Sequence, residues 1–156
     1  MNLAAVFHTG LTVSDLERSI AFYRDVLGLE LVTRWESAQP YLRSVVGFPD
    51  AELRIALLRL PGTAAPSGHH IELLEYRSPR GVRGDARTCN PGNAHVAFMV
   101  EDLDGAYAEL CGKGVRFKSA PVEVDHGRNK GAKVVYFLDP DDITLELVQP
   151  ARRLPS

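Results

Sequence analysis

The sequence is short of cysteine, of long apolar runs and of any excess of charge, and each shortage closes off a class of protein. Cys89 and Cys111 are the only cysteines and form no CxxC pair. A disulfide framework is thereby excluded, and the expectation is a cytosolic chain with two free, inert, buried thiols. No stretch approaches the ~18 apolar residues of a membrane span. The opening MNLAAVFHTG lacks both the basic start and the apolar core of a secretory signal. Eighteen Lys and Arg stand against 20 Asp and Glu, a formal net charge of −2, which leaves no electrostatic footprint for nucleic acid or a membrane surface. What remains is an ordinary globular composition over 156 residues, 45% apolar and 24% charged. That is enough for one domain, or two small fused modules, burying roughly two thirds of its unfolded surface.

What is present in abundance is repetition, which is to be sought first because a duplicated unit sets the whole fold. HTGLTVSDL from His8 to Leu16 returns as HVAFMVEDL from His95 to Leu103, with histidine, valine, aspartate and leucine in step at an offset of 87 residues. HIELLEY from His70 to Tyr76 resembles TLELVQP from Thr144 to Pro150, which matches Glu72 with Glu146 at an offset of 74. The chain therefore reads as one module written twice, a histidine opening each half and a glutamate closing it.

The local pattern gives each half the order strand, helix, strand, strand, strand. Alternation over Ala4 to Val13 predicts a strand with His8, Gly10 and Thr12 on one face. Ser14 with Glu17 reads as a capping box, followed by Leu16, Ile20, Tyr23 and Leu27 at helical spacing until Gly28. Strands are expected at Leu29–Trp35, Ala51–Leu60 and His69–Tyr76, with a loop at Glu36–Asp50 and a turn at Pro61–Gly68. The polar, arginine-bearing residues 79–92 form the linker between a first module at 1–78 and a second at 93–150. In the second, a strand at Asn93–Val100 leads to a helix capped by Asp102 and running to Gly112 or Gly114. Strands at Val115–Ser119, Ala132–Leu138 and Ile143–Val148 follow, the last after the turn Asp139–Asp142. Eight strands and two outer helices result, a single α+β domain.

A histidine near a strand start is commonly a core or edge residue, and a lone glutamate within a strand usually faces solvent. Recurrence of both types in register, in both halves, points instead to metal. Two imidazoles and two carboxylates, His8, Glu72, His95 and Glu146, suit one divalent cation such as zinc, nickel, cobalt, iron or manganese, with positions left open for water or substrate. Two buried glutamates would otherwise be costly charges. Gly10, Thr12 and Ala97 are small enough to leave room above such a site. His70, Tyr41, and the loop residues His126, Arg128 and Lys130 are further candidates for touching a ligand.

The run from His8 to Leu29, together with HHIELLEY, NAHVAFMVEDL and YFLDPDDITLELVQP, resembles the vicinal oxygen chelate superfamily, which includes glyoxalase I, methylmalonyl-CoA epimerase, extradiol dioxygenases and the fosfomycin and bleomycin resistance proteins. The resemblance spans nearly the whole chain. It implies paired βαβββ modules with the first and fourth strands adjacent, the eight strands forming one curved sheet, a cup around the metal. It also implies a homodimer and a small-molecule substrate with vicinal oxygens. Its ligand positions carry over to His8, Glu72, His95 and Glu146, the set most similar to bacterial glyoxalase I and the epimerases. The activity it implies is proton transfer beside a carbonyl, as in an isomerase, epimerase or lyase, with Glu146 as base and Glu72 as the symmetric partner. An iron dioxygenase, or a metal-free drug-sequestering protein, are the alternatives. Two departures stand out. The usual DPDG turn is DPDD, placing Asp142 where a left-handed glycine is common, and Glu72-Leu-Leu-Glu-Tyr76 replaces the ELTxN of glyoxalase I, which counts against a glutathione hemithioacetal as substrate.

Overall fold

The computed structural model describes residues 2–62 and 69–151, and divides the chain into two compact units, Met1–Arg83 and Gly84–Ser156. The first unit contains β1 (His8–Thr12), α1 (Leu16–Ala21), β2 (Glu30–Ser37), α2 (Pro40–Val46), β3 (Glu52–Arg59) and β4 (His70–Ser78). Its strands pair in the order β1-β4-β3-β2, with β1 parallel to β4. The second unit contains β5 (Val96–Met99), α3 (Leu103–Gly112), β6 (Arg116–Phe117), β7 (Val122–Glu123), β8 (Lys133–Leu138) and β9 (Thr144–Gln149). The order there is β5-β9-β8-β6, β5 is parallel to β9, and β7 also pairs with β8. The βαβββ order is thus present in both halves.

The repeat read from the sequence reappears in the pairing. Gly10 faces Glu72 across β1 and β4, and Ala97 faces Glu146 across β5 and β9, the same two offsets of 87 and 74. Beyond each first strand the backbone amide of Val13 donates to Leu74 O, and that of Val100 to Val148 O, both at 2.9 Å. The helices start alike as well. Asp15 caps α1 by accepting from the Arg18 amide and Asp102 caps α3 by accepting from the Gly105 amide, each at 3.0 Å. The first helical amide is then taken by the last strand: Leu16 N–H donates to Glu75 Oε2 at 3.2 Å, and Leu103 N–H to Gln149 Oε1 at 2.8 Å. Donors that a helix leaves unpaired at its start are satisfied in the same way twice.

Burial follows from the faces. Against α1, with Leu16, Ile20 and Tyr23 buried, the first sheet presents Ala56, Leu58, Ile71 and Leu73. In the second unit Leu103 and Leu110 of α3 are buried, as are Val135, Phe137, Leu145 and Leu147 of the sheet, while Tyr107 stacks edge-on against Phe117 at 4.6 Å between centroids. Each sheet buries the face turned to its helix in this way.

The structure corrects several expectations. The cap of α1 is Asp15 rather than Ser14, because the helix begins one residue later; Ser14 Oγ accepts from the Arg18 guanidinium at 2.9 Å. The helix then widens into a π-helical segment at Phe22–Val26 before Gly28 ends it in a left-handed conformation, φ 80°. The expected loop at Glu36–Asp50 contains α2, with Pro40 in its first turn and Gly47 as a left-handed cap, the usual use of both residues at helix ends. Hydrogen bonding divides the strands into two sheets, four strands in one and five in the other. The ninth strand arises because the edge strand of the second unit is interrupted. Its register against β8 slips by two residues between Phe117 and Val122. Cys89 and Cys111 are exposed, not buried. From residue 63 onward the expected turn at Pro61–Gly68 lies outside the described residues. No helix among the described residues is long and apolar enough to cross a membrane.

Candidate metal centre

Parallel pairing of β1 with β4 sets His8 and Glu72 on one face, diagonally adjacent, because His8 precedes by two the residue opposite Glu72. His8 Nε2 lies 3.4 Å from Glu72 Oε2. In the second unit His95 sits just before β5 in the equivalent place, and His95 Nε2 lies 3.2 Å from Glu146 Oε2. The glutamates are mostly withdrawn from solvent, with side chains 17% and 15% exposed, while the imidazoles are 37% and 41% exposed. Among the described residues neither glutamate pairs with an arginine or lysine, in contrast to Glu75 on the opposite face, which Arg54 holds at 3.1 Å.

These pairs fit a divalent cation. Donors 3.2 and 3.4 Å apart subtend roughly 100–110° at an ion bonded to each at about 2.1 Å. A withdrawn carboxylate without a basic partner is the group a cation relieves of its desolvation cost. A Cβ built on Gly10 would stand 3.8 Å from Glu72 Oε2 and 3.4 Å from Leu74 Cδ1, ordinary contact distances. Among the described residues no group of three or more His, Cys, Asp or Glu stands together. The fold builds one pair in each unit.

The remaining candidates separate. His70 shares the face of Glu72, is 7% exposed and has Nδ1 3.3 Å from Phe7 O. His126 is 92% exposed beside Asp125, Arg128 and Lys130 are exposed in the same loop, and Tyr41 is 64% exposed on α2. In the linker Arg87 forms an ion pair with Asp85, whose carboxyl its hydrogen bonds hold down to about 2. Leu42 of α2 clusters with Ala51, Leu53 and Ile55, with Leu74 and Tyr76 packed against them, so α2 covers part of the Glu72 face.

One residue that the sequence did not single out is Tyr136. It lies opposite Glu146 across β8 and β9, and its hydroxyl is 3.4 Å from His95 Nε2. Burial, and secondly the Glu146 carboxylate, push its pKa above the ordinary phenol value, keeping the hydroxyl a donor. The first unit has Leu57 at the matching place. Only that break in the repeat could have flagged it, and the break is visible only once strands are aligned.

A duplicated βαβββ chain with an imidazole and a carboxylate paired at one register in each half defines the class. The chain belongs to the Glyoxalase/Bleomycin resistance protein/Dioxygenase superfamily, whose family model matches residues 5–147. It is 33% identical to a 2-epi-5-epi-valiolone epimerase from Actinomyces sp. over 92% of this chain and 78% of that protein. It is 28% identical to the lactoylglutathione lyase of Schizosaccharomyces pombe over 96% of this chain, which spans 48% of that longer protein. Among solved structures, a glyoxalase family protein from Bacillus cereus superposes with a TM-score of 0.77 at 22% identity, covering 97% of both chains, a likeness of fold.

Proposed function

We propose that this chain is a cytosolic, metal-dependent enzyme, acting as a homodimer, that moves a proton at a carbon beside a carbonyl in a small substrate with vicinal oxygens. An isomerase, epimerase or lyase is the reaction class. The observation that carries this reading is the recurrence of the His–Glu pair at one register in both halves. The named relatives, an epimerase and a lyase, support it.

In this reading the His8–Glu72 pair and the His95–Glu146 pair would each supply an imidazole and a carboxylate to a divalent ion of the zinc, nickel, cobalt, iron or manganese kind. Bound there, the ion supplies Lewis acidity toward two adjacent substrate oxygens. Glu146 accepts the proton as the C–H bond breaks, and the electron pair is delocalised onto the carbonyl oxygen. Glu72 holds the corresponding place in the first unit and is the second candidate for moving a proton.

Metal analysis after dialysis tests the reading. The wild-type chain should retain close to one cation, and His95→Ala should lose it while the far-ultraviolet circular dichroism stays unchanged. Stoichiometric metal in the folded variant overturns the assignment.

A further inference from the structure

The second unit carries beside its His–Glu pair a group of side chains that the first unit lacks. Lys118 prolongs the edge strand past β6, its amide donating to Tyr136 O at 2.9 Å. Tyr136 in turn pairs with Glu146, and Glu146 with Ala97. Lys118, Tyr136, Glu146 and Ala97 therefore form one row across the sheet, on the face that holds the His95–Glu146 pair. The Lys118 ammonium is 2.9 Å from Thr144 Oγ1 and 5.7 Å from the centroid of the Tyr136 ring. Thr144 is 3% exposed and precedes Glu146 by two residues on β9, a separation of roughly 7 Å along a strand.

Among the described residues Lys118 enters no ion pair. Its neighbours do: Arg116 pairs with Asp142, Lys133 with Asp104 and Lys113 with Glu109. A lysine that only needed water would not surrender side-chain freedom to reach a buried, neutral hydroxyl. In accepting from the ammonium, Thr144 keeps its own hydroxyl proton to give. The phenol of Tyr136, 3.4 Å from His95 Nε2, offers another hydroxyl that can donate. Three donor groups, one of them the ammonium of an exposed lysine, thus share the face of the pair. In the first unit the matching places hold Thr33, Leu57 and His70, with no lysine or arginine among them.

We propose that Lys118, Thr144 and Tyr136 form an oxyanion subsite beside His95 and Glu146, taking a carboxylate or phosphate group of the ligand whose reacting carbon lies at the pair. The ligand is anionic, and its charged end is directed to the second half of the repeat. This rests on the reading of the pair as the reaction centre.

Calorimetric titration of the full chain at low ionic strength, with malonate and with inorganic phosphate, separates the possibilities. One of the two anions should bind and identify the kind of oxyanion. Lys118→Met should weaken it about ten- to hundredfold, and Thr144→Val should weaken it to a smaller degree. Zinc uptake by dialysis should be the same in Lys118→Met as in the wild type. The proposal is overturned if the folded Lys118→Met chain binds both anions as the wild type does, or if the wild type binds neither. Anion binding intact in a wild-type chain that takes up no metal would remove the metal reading and leave the subsite standing.

Discussion

At the scale of single residues, function concentrates where an amino acid stands in an environment it does not ordinarily seek. Glu72 and Glu146 are mostly withdrawn from solvent with only an imidazole at hand, whereas Glu75, just as withdrawn, lies against Arg54 and a helix amide. The third already has its partners, and the first two are the carboxylates that the proposed cation would relieve. Half-buried Asp142 has a left-handed backbone, with φ at 64° in the turn between β8 and β9. The turn motif anticipated that geometry, since aspartate tolerates the left-handed region where branched side chains do not. Asp142→Val should therefore destabilise the chain by about 1–2 kcal/mol in urea unfolding. An unchanged midpoint would show that the turn relaxes without cost.

Secondary-structure elements carry the repeat into three dimensions. α1 and α3 each follow a first strand and are tied at their first turn both by an aspartate cap and by a side chain from the last strand. Gln149→Leu removes the acceptor of the Leu103 amide and should cost about 1–3 kcal/mol, the range for a buried donor left unpaired, measurable as a shift in the denaturation midpoint with metal uptake retained. Helix and strand existence was legible from apolar spacing and from Asp102, Gly28 and Gly112. The helix at Pro40–Val46 was not read, although Pro40 and Gly47 mark its ends, because seven residues among turn-formers show too little periodicity to outweigh them. The break between β6 and β7 was hidden for another reason: the two extra residues that the edge strand carries between Phe117 and Val122 show only when it is laid against β8.

At the scale of the whole chain, duplication makes a testable statement about stoichiometry. If the two pairs serve one ion, dialysis against zinc should give one cation per chain, and His8→Ala and His95→Ala should each abolish binding. Two cations per chain, with each variant losing one, would show that the pairs act separately. Saturating metal should also raise the unfolding free energy, by about 2.7 kcal/mol at a hundred times the dissociation constant, seen as a higher Tm.

The order of elements, the duplication, and the histidines and glutamates worth attention were all legible in one dimension. They depend on which residue types recur at which intervals, and intervals survive without coordinates. The placement of His8 beside Glu72 and of His95 beside Glu146 came instead from parallel pairing between strands some sixty and fifty residues apart in the chain. So did Tyr136, and the Lys118–Thr144 contact that separates the second half from the first. Such relations belong to register and to the packing of neighbouring strands, where a shift of one residue turns every side chain to the opposite face. No local pattern specifies that choice; it is made when the faces bury.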